Sequence, residues 1–399
     1  MGTEGYSPAL LVKIEYAGAN EGSFEQAAQS LARLAEFSIS AKHVQRLTER
    51  LGRERAEARD RDVKQMKAGR LTPTHAQPPR VAAVHLDAGK IQMRAEGGGP
   101  GVREPHWSDT KVGCFLTYVA PADGRDPQPE PPKTFLDPPR VMRLCQEMHE
   151  VRSDPATHPT AAPVPRACPA KARKSARLVR TAVATMGSTE TFGWLVAAEA
   201  MRRGFYEAPA RAVIGDGGNW IEPLGEMHFP EWDQILDFLH LLVHLYAAAT
   251  AACRDRPRRA WPLYERMLRA AWAGRVGEVE ATLAGELRRL GSPAAAGPPD
   301  ERREVVAATL AYVQRNHQRM DYPRYRRQGL PVTSAAVESL IKQVNRRMKG
   351  TEKFWQRGGA EAVLAARAAY LSEDGRAEAF HNHRPHGRAV GRGRLRPAA

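Results

Sequence analysis

The sequence predicts an α/β protein, and three observations carry that prediction. Short apolar runs suited to buried strands recur at Val81–Leu86, Lys111–Tyr118, Ala210–Ile214 and Asp233–Asp237. Between and after them lie long stretches whose apolar residues fall at helical spacing. Two of the strands run straight into an acid, Asp87 and Asp216, and a late helix carries a third acid, Glu338, near its start.

The chain has 399 residues, long enough for two or three domains. Its formal net charge is +15, which points to a polyanionic partner. The charge is clustered: Arg166–Arg180 holds six basic residues and no acid, and Arg376–Ala399 holds six arginines against one glutamate. An anionic membrane surface would suit the charge too, but no apolar run reaches the roughly 20 residues that span a bilayer. The N-terminus lacks the basic stretch and apolar core of a secretory signal. Cys114, Cys145, Cys168 and Cys253 are scattered, with neither zinc spacing nor a disulfide framework. The expected location is the cytoplasm.

From the N-terminus, Ser23 answered by Gln26 makes a capping box, and Phe24, Ala27, Ala28, Leu31 and Leu34 form the inner face of the helix that follows. A second helix is expected over Ala41–Leu51, ended by Gly52, with Lys42, His43, Gln45, Arg46 and Glu49 outward. Two short helices around a tight turn resemble a helix-turn-helix, so residues 1–68 are expected to be a helical DNA-binding domain using Lys42 and Arg46. The charged stretch Arg53–Lys67 reads as a solvated helix, and 69–80, with Pro73, Pro78 and Pro79, as a linker.

Val81–Leu86 is the first strand, Ala88-Gly89 a turn, and Lys90–Arg94 a returning strand, which would leave Asp87 at a strand end. A Pro-rich insertion with no sustained period covers about 120–170, and helical periodicity resumes over Lys171–Ala184 and Thr189–Arg203. Asp216 follows the Ala210–Ile214 strand among glycines, and Asp233–Asp237 feeds a long apolar helix, Phe238–Ala252. Residues from about 253 to 330 form an all-α insertion. In Pro331–Lys349, Val337, Leu340, Ile341, Val344 and Met348 point inward, Ser334 sits as the N-cap, and Glu338, Lys342, Asn345 and Lys349 share another face. Taken alone, Glu338 and Lys342 make an ordinary i,i+4 pair. A helix over Gly359–Leu371 precedes a basic tail, 373–399, expected to order only on a polyanion. The tail histidines His381, His383 and His386 read more simply as polar tail residues than as metal ligands.

Three converging carboxylates suit phosphodiester chemistry with two Mg²⁺ ions, because hard divalent cations take oxygen ligands. Spacing by itself selects no particular three of the 45 acids. The segments HLDAGK, KVGCFL, VIGDGGNWI, ILDFLHLLVHL, YPRYRRQGLPVTSAAVESLIKQV and WQRGGAEAVLAARAAYLS, in that order, resemble the bacterial insertion-sequence transposases of the ISKra group, which are Mutator-like DDE recombinases. The similarity covers about Val81–Tyr118 and Gly187–Ser372, with RLTERLG at Arg46–Gly52 in addition.

The resemblance implies a ribonuclease-H-like catalytic core over 81–372, with the all-α insertion before Glu338. Asp87, Asp216 and Glu338 would be catalytic and would hold two Mg²⁺ ions, with Mn²⁺ as a substitute. Asp237 and His240 would match a supporting Asp-x-x-His element. On that reading Lys342, Asn345, Arg346 and Arg347 would contact double-stranded DNA beside Glu338; Trp220 and Trp355 offer rings for stacking on bases near the cut, but read more simply as buried core aromatics. The activity implied is cleavage and strand transfer at the ends of an insertion sequence, by a homo-oligomer on bacterial DNA. A nuclease without strand transfer and an inactive DNA-binding descendant are the alternatives. The sequence departs from the family pattern at Ala88 and Ala335, where glycine is usual.

Overall fold

A computed structural model describes residues 6–74, 77–94, 106–119, 125–148, 176–291, 300–350 and 353–383. Its centre is one open, mixed sheet of β1 (Val81–Met93), β2 (His106–Val119), β3 (Ala176–Thr185), β4 (Ala210–Gly215) and β5 (Asp233–Leu236), in the order β3-β2-β1-β4-β5. Only β2 runs against its neighbours, while β1, β4 and β5 are parallel. The chain therefore builds outward from β1 on one side and then returns to build β4 and β5 on the other. In such open sheets ligands favour the crevice beyond the C-terminal ends of the strands at that reversal, here β1 and β4.

Side-chain alternation along the strands divides the core into two layers. Ala82, Val84, Leu86 and Val213 face α5 (Thr189–Arg202) and α6 (Ile221–His228). Val81, Ala83, Ala212 and Ile214 face the apolar helix α7 (Phe238–Ala252), and behind it α8 (Ala260–Trp272), α9 (Val276–Arg289), α10 (Glu301–Arg315) and α11 (Tyr322–Arg327). Farther along the same face, Ile91, Met93, Val112 and Cys114 pack on α12 (Ala335–Met348) and α13 (Arg357–Leu371). Among the described residues, the run between β5 and α12 has helices as its only regular structure. No described helix is long and apolar enough to cross a membrane.

The N-terminal part holds three helices: α1 (Pro8–Asn20), absent from the sequence reading, α2 (Phe24–Leu34), capped by Ser23 as expected, and α3 (Ala41–Lys67). Gly52 does not end the second of the expected helices, because the 27-residue α3 continues through it to Lys67. That glycine serves a close crossing instead: a Cβ on it would sit 2.1 Å from the Ala362 carbonyl oxygen of α13. The three helices keep a small core of their own, with Ile14, Leu31, Val44 and Leu47 at its centre.

Three further expectations are corrected. Ala88-Gly89 makes no turn; β1 continues through both, because the 14-residue β2 pairs with it from Val81 to Met93. Lys171–Ala184 is not helical in its described part, which is β3, with β-branched Val179, Thr181, Val183 and Thr185 at every second position. Within the Pro-rich stretch, α4 (Pro138–Glu147) buries Val141 and Cys145 against α7, whereas 149–175 fall outside the described residues.

The tail also has more structure than expected. Arg376–His383 is helix α14, and His381 is buried with its Nε2 2.7 Å from Glu15 Oε2, which takes it out of any exposed metal site. His386 and the rest of 384–399 lie outside the described residues.

Candidate functional site

The register of the parallel strands aligns three aspartates. The last β1–β4 pair is His85 with Ile214, and Asp87 and Asp216 each lie two residues farther on. The last β4–β5 pair is Gly215 with Leu236, and Asp216 and Asp237 are the next residues. Adjacent strands stand about 4.8 Å apart, so the three acids form a row across the sheet at the crevice where the strand order reverses. Asp87 lies within β1 and not at its end, because β2 extends the pairing beyond it.

Asp237 organises this row. As N-cap of α7 it accepts from the His240 backbone N–H at 3.1 Å, and its Oδ2 lies 2.5 Å from His240 Nδ1. It also accepts from the Ser334 N–H at 2.5 Å and the Ser334 hydroxyl at 2.8 Å. Three of these contacts fall on Oδ2 and one on Oδ1, so Asp237 positions His240 and Ser334 while its Oδ1 keeps an open acceptor site. Ser334 is the N-cap residue of α12, but its side chain does not cap the helix. Its hydroxyl lies 2.8 Å from Asp237 and 2.9 Å from Glu338 Oε1, and its single proton serves one of them at a time. That link brings Glu338 onto the strand-end row.

Ligand atoms of Asp237, His240 and Glu338 lie within 4.8 Å of one another, a group able to hold a metal ion. Asp237 Oδ1 and Glu338 have lone pairs to offer a cation, and His240 gains one once its imidazolium gives up a proton. Asp87 and Asp216 act on the same place electrostatically. Burial pushes the Asp87 carboxyl up to about 7; the Ala88 N–H opposes this, and the nearby charges of Asp216 and Glu338 add to it. Burial by itself would lower His240, but the hydrogen bond and charge of Asp237, helped by Asp216 and Asp87, hold the imidazolium at about 9. Asp216 is fixed by the Gly218 N–H on its Oδ1 at 2.8 Å and by the Tyr312 hydroxyl on its carbonyl at 2.7 Å. Carboxylates that crowd each other around a single imidazolium fit a divalent cation, whose charge would relieve them.

The sequence reading missed Ser334 as a bridge and Tyr312 as a brace. It also missed His85, fully buried two residues before Asp87, whose ring nitrogens have no hydrogen-bond partner among the described residues. No motif signals any of the three, because each acts through a contact distant in sequence or, for His85, through its surroundings alone.

The residues expected to touch DNA divide. Lys42, Arg46, Lys342 and Arg346 are exposed, and Asn345 is half-buried. Arg347 is contradicted as a DNA contact: it is 2 % exposed, donates from Nε to the Gly18 carbonyl at 2.8 Å, and lies over the Phe24 and Trp355 rings. It falls on the inward stripe of α12, three residues after Val344, and holds α1 against the core. Lys342 pairs with Glu147 at 2.9 Å and not with Glu338. Trp355 is buried, its Nε1 donating to the Met348 carbonyl, and Trp220 packs edge-on against Phe192.

No protein-family model matches this chain, and no curated protein is significantly similar to it.

Proposed function

We propose that this chain is a DDE transposase of the ISKra type, with a ribonuclease-H-like core, that cleaves and joins DNA at the ends of an insertion sequence. The observation that carries the reading is the alignment of Asp87, Asp216 and Asp237 across three parallel strands, with Glu338 tied in through Ser334. The strand order, with β2 alone antiparallel, supports the ribonuclease-H-like reading. Asp87, Asp216 and Glu338 would hold Mg²⁺ or Mn²⁺ against a phosphodiester, where the cation supplies positive charge to the reacting phosphate. Asp237 orients His240 and Ser334, and the net charge of +15 draws in the polyanion.

The test is a strand-transfer assay with Mg²⁺ on DNA from the gene's own flanks. Asp216→Asn and Glu338→Gln are expected to abolish cleavage and joining while DNA binding persists. Parent-rate joining by either variant would sink the assignment.

One observation favours a second reading. A donor group that includes His240 suits Mn²⁺ or Zn²⁺ better than Mg²⁺, as in a nuclease that cleaves without joining. Cleavage without joined product in the same assay would select it.

A further inference from the structure

Helix α4 has no part in the reading above, although it borders the same site. Val141 and Cys145 seat it on α7, beside the start of α12. Between α4 and α12 lies a groove of about 360 Å³. Glu338 and Lys342 line it from α12, Arg140 and Arg143 from α4, and Phe135 and Leu239 give it an apolar floor. Arg140 and Arg143 are exposed and lie one helical turn apart; their guanidinium groups make no hydrogen bond or close ion pair with any described residue, although both charges act on Glu147. The Lys342–Glu147 pair beside them is exposed and easily given up. Arg140, Arg143 and Lys342 against Glu147 and Glu338 leave the lining net positive by one charge, which favours an occupant with an apolar body and negative charge that fits a space at the small end of ligand sites, about 300–1,000 Å³. A nucleotide unit meets all three conditions, and a duplex is too wide.

We propose that this groove holds one unpaired nucleotide of the DNA strand that reaches Glu338. Its phosphates lie on Arg140 and Arg143, and its base lies against the Phe135–Leu239 floor. The proposal rests on reading Glu338 as part of a phosphodiester site. It gives α4, from the stretch that the family motifs do not cover, the role of separating and seating the strand beside the bond to be cut.

The experiment is fluorescence anisotropy with the full chain, in EDTA so that nothing is cleaved. The probes are a labelled oligothymidylate, an abasic phosphodiester of equal length, and a duplex. The wild-type chain is expected to prefer oligothymidylate to the abasic strand by fivefold or more, as base stacking gives about 1–3 kcal/mol. R140E/R143E is expected to weaken oligothymidylate binding at least tenfold. It should also flatten the salt slope by about 1.4, since each single-strand phosphate contact contributes roughly 0.7.

The control is R258E/R259E, an equal charge change past the far end of the 15-residue α7, about 22 Å along the helix from Phe238. Wild-type affinity and slope in R140E/R143E, an equal loss in the control, or a chain that binds only duplex would each overturn the groove and leave the metal-site reading standing. A wild-type chain that binds no DNA of any kind would overturn both.

Discussion

Glu15 and Asp87 are both carboxylates withdrawn from water, yet their surroundings are opposite. Glu15, in α1, is fully buried and receives Arg55 Nε at 2.7 Å, an Arg55 terminal nitrogen at 2.8 Å, His381 Nε2 at 2.7 Å and the Tyr370 hydroxyl at 3.2 Å. Burial pushes its pKa upward, but Arg55 and His381 outweigh that and leave it below the ordinary value. Asp87 has one hydrogen bond among the described residues, from the Ala88 N–H; burial pushes its carboxyl up to about 7, with Asp216 and Glu338 adding to this and Ala88 and His240 opposing it. A buried charge that is fully paired joins parts of the fold, here α1, α3, α13 and α14. A crowded one keeps an electrostatic demand that a cation can meet.

The largest effect that tests this contrast lies on the crowded side. Glu338→Gln should lower cleavage and joining by about a thousandfold or more, the rate equivalent of several kcal/mol of charge stabilisation. Its urea midpoint should stay close to that of the parent. Next comes Glu15→Gln, which strands Arg55 in the interior and should cost about 3–5 kcal/mol in urea denaturation at pH 7. An unchanged midpoint there would break the contrast outright.

Acid should act on the paired carboxylates as well. Glu15 and Glu199 have folded pKa values below the ordinary 4.5, Glu199 because Arg376 and Thr181 outweigh its burial. Their stabilisation is therefore present above pH 4.5 and is lost as pH falls through the folded values. Melting temperature measured from pH 7 downward should drop in that window, and less steeply in Glu15→Gln.

The sequence made the strands and the acids at β1, β4 and β5 legible because strand ends, glycines and apolar helices are local signals. Phe238–Ala252 coincides with α7 for the same reason. The misreadings share a different cause, which is long-range packing. Gly52 reads as a helix stop, but it is small because Ala362 of α13 crosses there. Ala88-Gly89 reads as a turn, but β2 supplies partners that keep β1 extended. Arg347 lies near outward basic residues in sequence and is nevertheless turned inward to the Gly18 carbonyl and two rings. Asp237 was legible as a supporting residue, but its link through Ser334 to Glu338 joins segments 97 residues apart and has no local signature.

The smallest effect is the one most specific to the crowded site. Because burial, with Asp216 and Glu338 adding to it, disfavours the charged form of Asp87, removing its charge should strengthen the cation-free fold. Asp87→Asn in EDTA should be more stable than the parent by roughly 1–2 kcal/mol, with partial exposure screening the gain. Mg²⁺ or Mn²⁺ should reverse the order. A ligand that binds the folded chain at a hundred times its Kd adds about 2.7 kcal/mol, and the variant, lacking one carboxylate, should collect much less of it. Thermal melts of both proteins with and without divalent cation read the two effects together. A parent that melts at the same temperature in EDTA and in excess cation would mean that Asp87, Asp216 and Glu338 hold no metal. A variant less stable than the parent in EDTA would mean that Asp87 is structural, like Glu15.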